Sequence, residues 1–383
     1  MKRSWLIVNP LKRRLELRDP RIEKLAEVLL HYSIGIKEGD LLMIRGNYLT
    51  LPLIKELYKK ALLAGANPYT KIGVDGIEEI FYSIASEEQL KFISKISWTE
   101  VEEIDALITI WGEWNTKKLS NVDPKRIALA QGARRPLFQK LMERIADGSV
   151  RWVGTQYPAH ANAQDAVMST EEYEEFVFRA GHLYDEDPIA TWRKISEEQA
   201  KIVEKLSQYN EFRIVAEDTD LKLKAGGRRW INADGHENFP DGEVFTSPLE
   251  DSAEGHIKFT FPGIFLGKEA EGIRLVFEKG EVVKAEADKG EDYLKALIAT
   301  DDGARRLGEF AFGTNYDIQN FTRNVLFDEK IGGTIHLALG ASIPETGGKN
   351  VSGIHWDIVL DMRKGGEVYA DGELIYRDGK FLL

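Results

Sequence analysis

The spacing of apolar residues changes period near residue 190, and this change restricts the fold more than any other feature of the chain. Before it, helical and extended patterns alternate. Asp19-Pro20 pairs a capping residue with proline at the first helical position, and Ile22, Leu25, Ala26, Leu29 and Leu30 follow at helical spacing. Leu41 to Ile44 reads as a short buried strand ended by Gly46, and Leu53, Ile54, Leu57 and Ala61 as a helix stopped by Gly65. Tyr69 to Val74 is the next strand, Ser86 opens a helix, and Asp105 to Ile110 is an apolar strand. Asp123 to Met142 reads as helix with Pro136 as its candidate break, and Val150 to Val153 closes the series. Strands that alternate with helices predict a mainly parallel sheet with helices on its faces.

Beyond residue 190 a charged helix, Ser196 to Gln208, leads into short strands separated by polar turns. Examples are Phe212 to Val215, Leu221 to Leu223, His256 to Phe261 and Ile273 to Phe277. Lys279-Gly280 suits a hairpin turn into Val282 to Ala287, Glu291 to Thr300 suits a helix, and Gly366 to Leu383 is a meander punctuated by Asp371-Gly372 and Asp378-Gly379. The expected architecture is therefore an α/β N-terminal domain with a mainly parallel sheet, residues 1–193. An α+β C-terminal domain with a mainly antiparallel sheet, residues 194–383, would carry the candidate site. A chain of 383 residues makes two domains the default.

Composition removes several classes of function. There are no cysteines, which excludes disulfides, thiolate ligands, iron–sulfur clusters and a cysteine nucleophile. The formal charge is −12, from 63 acidic against 51 basic residues, and no basic run has the density of a nucleic-acid face. The apolar run near the N-terminus is too short for a signal peptide, and no stretch is apolar enough to span a bilayer. A soluble cytoplasmic protein is expected. Neither a dinucleotide fingerprint nor a Walker loop is present. The nearest approach, Gly263-Ile-Phe-Leu-Gly267-Lys268-Glu269, has the wrong spacing and no Ser or Thr.

Five side chains in the second half carry metal-binding chemistry. His355 and Asp357 are two apart on a strand and so project from one face, with Trp356 on the other. His336 lies in Thr334-Ile-His-Leu-Ala-Leu-Gly340, where Ile335, Leu337 and Leu339 pack the opposite face. Glu243 opens the strand of Val244, Phe245 and Thr246, and Glu309 opens Phe310-Ala-Phe312. An unpaired charge beside such apolar strands is costly, and a metal ion offsets that cost. Three carboxylates and two neutral imidazoles carry −3 against +4 for two divalent ions, which leaves room for a hydroxide made available at working pH. Taken singly, each residue also has an ordinary explanation. A strand histidine is commonly a hydrogen-bonded core residue, a glutamate after glycine is commonly a solvated turn, and His355 with Asp357 can be a plain hydrogen-bonded pair. His31, His160, His182, His236 and His256 read as structural or surface residues, and neither H-E-x-x-H nor G-x-S-x-G occurs.

The order of several motifs adds to this. Asn238-Phe-Pro-Asp-Gly-Glu243-Val-Phe-Thr-Ser-Pro248, Asn324-Val-Leu-Phe-Asp-Glu329, His336-Leu-Ala-Leu-Gly340 with Pro344-Glu345, and Ile354-His-Trp-Asp357 resemble segments of the thermophilic aminopeptidase family, the metallopeptidases that include aminopeptidases T and S. Tyr157-Pro158, Ala161-Asn-Ala-Gln164 and Met168-Ser-Thr-Glu-Glu-Tyr173 are similar to its N-terminal domain, so the resemblance runs from about Arg21 to the end. It implies a metal-dependent exopeptidase acting on peptides with a free N-terminus, with two ions such as zinc, cobalt or manganese. It also implies a homodimer, the ligand set Glu243, Glu309, His336, His355 and Asp357, and one bridging carboxylate, which we expect to be Glu309. One position departs from the family. A tyrosine expected seven residues after the first site histidine is Ile343 here, with Ser342 and Tyr316 as conceivable substitutes. Loss of an oxyanion donor typically costs on the order of a hundredfold in rate. The alternative expectation is thus a degenerate metal- or peptide-binding protein of the same fold, in which Ile343→Tyr would raise turnover.

Overall fold

The computed structural model describes residues 19–382. Its first sheet has five parallel strands in the spatial order Asn67–Gly73, Leu41–Asn47, Ala106–Trp111, Arg151–Gln156 and Asn238–Phe239. Alternation explains why helices cover both faces. Leu42, Ile44, Ala106 and Ile108 point into one core with Leu29, Leu53, Leu57 and Trp192, while Met43 and Leu107 point into a smaller one with Leu141 and Ile145. The first helix, Pro20–Glu27, begins as its sequence predicts, with the Asp19 carboxylate accepting from the Arg21 N–H at 2.9 Å.

Two features of this half depart from expectation. Helices Ile77–Ile84 and Lys95–Glu103 are not among the expected elements, although Ile77, Ile80, Phe81 and Ile84 recur at helical spacing in the first; Ile77, Ile80, Ile84 and Ile96 are exposed rather than packed into a core. Helix Pro124–Ala146 is continuous through Pro136. The carbonyl that the proline ring would crowd belongs to Gly132, and both residues face solvent, where that carbonyl can tilt toward water.

The second half contains an eight-stranded antiparallel sheet running in space from Glu281–Glu286 to Lys380–Phe381. Against it packs a five-stranded antiparallel sheet in the order His355–Asp361, Thr334–Gly340, Leu307–Gly313, Glu243–Thr246 and Ile231–Ala233. Phe310, Phe312, Ile335, Leu337, Leu339, Trp356 and Ile358 fill the space between the sheets with Phe212, Ile214, Leu221, Leu275 and Phe277. Phe310 meets Phe212 with ring centroids 5.5 Å apart, and Phe312 meets Tyr376 at 5.2 Å. Each fully buried ring of this kind stabilises by roughly 1.5–3 kcal/mol. The other face of the five-stranded sheet carries polar residues among smaller apolar ones such as Ala311, Ala338 and Val359.

The two halves interlock. Helix Pro188–Leu206, started by Asp187 and Pro188, runs across the position at which the sequence pattern divides. Strand Asn238–Phe239 adds to the first sheet beside Arg151–Gln156, and Phe239, Ile318, Leu326, Phe327 and Ile331 join the first half's core. Between them, the segment that leads to Glu243 is pinned by an ion pair: His236 Nδ1 lies 2.6 Å from Asp234 Oδ1. This histidine therefore has a carboxylate partner, in a structural role. The hydrogen bond to Asp234 raises the His236 pKa above its ordinary value against the effect of burial. A raised folded-state pKa gives stability that is complete below about pH 6.5 and is lost as pH rises through the shifted value. Asp234 is shifted down, so its own contribution is lost only in acid, outside this window. The melting temperature of wild type should accordingly fall more between pH 6 and pH 9 than that of His236→Gln. The ring is nearly half exposed, so the difference should be no more than about 1 kcal/mol, and identical pH profiles would exclude the contribution.

Candidate metal centre

Four of the five strands of the second antiparallel sheet each bring a candidate residue to its polar face. Glu309 is on the central strand Leu307–Gly313, His336 on its neighbour Thr334–Gly340, His355 and Asp357 on the edge strand beyond His336, and Glu243 at the start of the strand on the other side of Glu309. Alternation counted from Leu307 would not place Glu309 there. Leu307 and Phe310 both belong to the core although three positions apart, which is an odd separation. A β-bulge between Leu307 and Glu309 absorbs the extra residue and turns Glu309 away from the core. Glycine at 308 permits it, because a Cβ there would lie 2.2 Å from the Ala341 carbonyl oxygen. Ala338 pairs with Glu309 on one side and Asp357 on the other. Its single methyl leaves the space between the two carboxylates unfilled by side chain.

All five residues predicted from sequence come together. Glu309 Oε1 lies 3.2 Å from His336 Nε2, and its Oε2 lies 3.3 Å from His355 Nε2. Glu243 Oε2 is 3.4 Å from His336 Nε2, and Asp357 Oδ1 is 3.4 Å from His355 Nε2. The donor atoms form two groups, Glu243–Glu309–His336 and Glu309–His355–Asp357, each with its atoms within 4.8 Å of one another. Glu309 is common to both.

The electrostatics of the cluster call for cations. Burial disfavours charge on His336, but Glu309 and Glu243 outweigh it and raise the imidazole to about 9. For His355 burial is likewise outweighed, by Asp357 and Glu309, and the ring is raised to about 12. Asp357 is held well below the usual carboxylate range: burial opposes this, and His355 prevails. A divalent ion satisfies the same demand and leaves the imidazoles neutral, the form in which nitrogen ligates. Two further observations fit metal. Glu243 Oε2 and Asp357 Oδ1 are buried without a hydrogen-bond donor among the described residues, so each has a lone pair to give. His355 Nδ1 lies 2.7 Å from the Ala341 carbonyl, which fixes the tautomer with Nδ1–H donating and Nε2 free toward the carboxylates.

The site opens on a cavity of about 640 Å³. His355, Asp357, Glu329 and Lys330 form its floor, Trp111, Lys117 and Gln156 line the first-half side, and Ile264, Phe265 and Phe321 give an apolar wall. Trp111 and Gln156 end parallel strands, so the cavity lies at the carboxyl end of the first sheet, where open α/β sheets place their ligands. The glycine run Gly263 to Lys268 forms the hairpin Gly263–Phe265 with Lys268–Ala270 in that wall, in place of a phosphate loop. Of the conceivable substitutes for the missing phenol, neither lines this cavity. The Tyr316 hydroxyl donates to the Gly379 carbonyl at 2.9 Å, and Ser342 Oγ accepts from the Asn350 N–H at 3.3 Å.

Sequence reasoning missed Glu329 and Lys330. In Phe327-Asp-Glu-Lys-Ile331 they resemble a solvated charged turn, yet the Lys330 side chain is 1% exposed. Its Nζ lies 2.6 Å from Glu329 Oε2 and 3.0 Å from Glu243 Oε1. Burial lowers the affinity of the ammonium for its proton, but Glu243, Glu329 and Asp241 more than reverse this.

A profile of the thermophilic metalloprotease (M29) family matches residues 18–381. The chain belongs to that family. Among relatives of this metalloprotease, aminopeptidase 2 of Geobacillus stearothermophilus is 29% identical, covering 95% of this chain and 98% of its own. Aminopeptidase T of Thermus thermophilus is 27% identical over 94% of this chain and 95% of its own. The solved structure of wild-type AmpT from Thermus thermophilus superposes with a TM-score of 0.83 at 25% identity, covering 95% of this chain and 99% of that one. The parallel sheet and the antiparallel second half are thus the architecture of the family. Among the described residues, no helix is long and apolar enough to cross a membrane.

Proposed function

We propose that this metalloprotease is an aminopeptidase with a two-metal centre held by Glu243, Glu309, His336, His355 and Asp357. One observation carries this: the two oxygens of Glu309 face two different histidines, at 3.2 and 3.3 Å, each within its own group of potential ligands. A single carboxylate so placed would bridge two ions, with Glu243 and His336 completing one side and His355 and Asp357 the other. A pair of divalent ions supplies Lewis-acid polarisation of the scissile carbonyl and a hydroxide nucleophile at working pH. The chain's own residues do the rest. The five ligands hold the charge in a largely buried site that opens on the cavity, and Glu329 brings a carboxyl outside the ligand set to that cavity for the proton that the leaving amine takes up. The cavity is within the range that encloses a small peptide ligand. Support for peptides with a free N-terminus comes from the relatives' names, and zinc, cobalt and manganese all suit a ligand set of nitrogen and oxygen. A cytoplasmic homodimer is part of the same proposal, supported by the cysteine-free composition and by the family resemblance.

Hydrolysis of free and N-acetylated aminoacyl p-nitroanilides, with metal content measured on the same sample, tests it. The expected result is two ions per chain and cleavage of free-amine substrates only. Ile343 motivates the second possibility, a site that binds metal and has lost turnover, and bound metal without cleavage of any substrate would decide for it. Absence of bound metal would remove both.

A further inference from the structure

Lys330 is a buried cation placed next to a centre built to hold cations. Charge compensation accounts for an ammonium near Glu243 and Glu329 but not for which oxygen of Glu243 it takes. Its backbone is held from both sides: its N–H donates to the Phe327 carbonyl at 3.0 Å, and its carbonyl accepts from the Asn315 N–H at 3.1 Å. Asn315 in turn donates through Nδ2 to the Asp241 carbonyl at 2.8 Å, in the segment that leads to Glu243. The side chain reaches Glu243 Oε1 at 3.0 Å, whereas Glu243 Oε2 has no hydrogen-bond donor among the described residues and faces His336 Nε2 at 3.4 Å. The ammonium therefore occupies one oxygen of the carboxylate and leaves the other pointing into the Glu243–Glu309–His336 group. Its second contact, 2.6 Å to Glu329 Oε2, holds that carboxylate on the cavity floor.

We infer that Lys330 is a positioning residue for the metal centre, one that makes Glu243 a single-oxygen ligand of the ion shared with Glu309 and His336. The inference rests on the two-metal proposal above and concerns one of its two ion positions. The Lys330 ammonium touches no member of the Glu309–His355–Asp357 group directly among the ion pairs described and reaches it only through Glu329, which lies beside Asp357, so that group's ion should be the less affected of the two.

The test is zinc binding by the full chain, titrated against a competing chelator, for wild type, K330M, E243Q and the double variant K330M/E329Q. Wild type should bind two zinc ions. K330M should bind one about ten- to a hundredfold more weakly, the usual consequence of removing a ligand's supporting partner, and the other with a distinctly smaller change. K330M/E329Q removes one charge of each sign, which protects folding, and should show the same weakened ion because Glu243 still lacks its donor. Two equally tight or tighter ions in K330M would overturn the inference. So would recovery of tight binding in the double variant, since charge balance would then be all that Lys330 supplies. Loss of both ions in K330M together with a lowered metal-free melting temperature would assign Lys330 a general structural role and overturn it equally. Fewer than two ions in wild type, or two undisturbed ions in E243Q, would instead remove the two-metal proposal itself.

Discussion

Glutamine in place of Glu309 is expected to abolish peptide hydrolysis, with a loss of roughly a thousandfold or more, and to reduce the bound metal from two ions to no more than one. The magnitude follows from the position. A metal pair contributes several kcal/mol of transition-state stabilisation, each 1.36 kcal/mol being about tenfold in rate, and Glu309 is the one residue common to both ligand groups. Glutamine retains the shape of the side chain but has one acceptor oxygen and an NH2 that would face an imidazole Nε2. The fold should persist, because the bulge that turns residue 309 outward depends on Gly308 and the strand pairing rather than on the carboxylate. Turnover and metal content are to be measured beside a far-UV spectrum and thermal melt, so that a folding defect is recognised. Full activity with two bound ions in Glu309→Gln would sink the bridging role.

Removal of metal is the second large effect. Prolonged chelation should take activity to background, and stoichiometric addition of a divalent ion should restore it. The same ions should raise the melting temperature of the protein. An ion present at a hundredfold over its dissociation constant stabilises the folded state by about 2.7 kcal/mol, which for an interlocked chain of this length is roughly 3 °C per ion. The physical origin is the cluster itself: Glu243, Glu309 and Asp357 are gathered around two imidazoles in a buried site. Activity that survives complete removal of metal, verified by elemental analysis, would contradict the proposal. A melting temperature indifferent to metal would show that the five residues bind no ion in the folded state.

Much of the site was legible because its logic is local. Alternation along a strand put His355 and Asp357 on one face and Trp356 on the other, and the structure shows Trp356 in the core between the sheets. The same alternation separated His336 from Ile335, Leu337 and Leu339. Helix starts with a capping side chain and proline, at Asp19-Pro20 and Asp187-Pro188, were equally open to inspection, although the second was read as beginning later. Nothing in the sequence singled out Lys330, since a run of Asp, Glu and Lys looks solvated wherever its partners are distant in sequence. Glu243, one of those partners, lies on another strand, and nothing near position 330 announces it.

The sequence by itself determined the change from parallel to antiparallel architecture, the identity of the five candidate ligands and the exclusion of thiol and phosphate-loop chemistry. These follow from residue types, from periods of two and 3.6 set by neighbours along the chain, and, for the ligand set, from the family resemblance. Only the tertiary structure decided that Glu309 faces both histidines, that Lys330 is buried against Glu243, and that the cavity is walled by both halves. Each of these depends on a meeting of distant segments: Gly308 against the Ala341 carbonyl, strand Asn238–Phe239 inserted into the first sheet, and Asn315 tying the Lys330 turn to the segment before Glu243. Periodicity specifies which face a side chain takes relative to its own strand. Where that face lies, and what stands opposite it, is settled by packing between elements far apart in the chain.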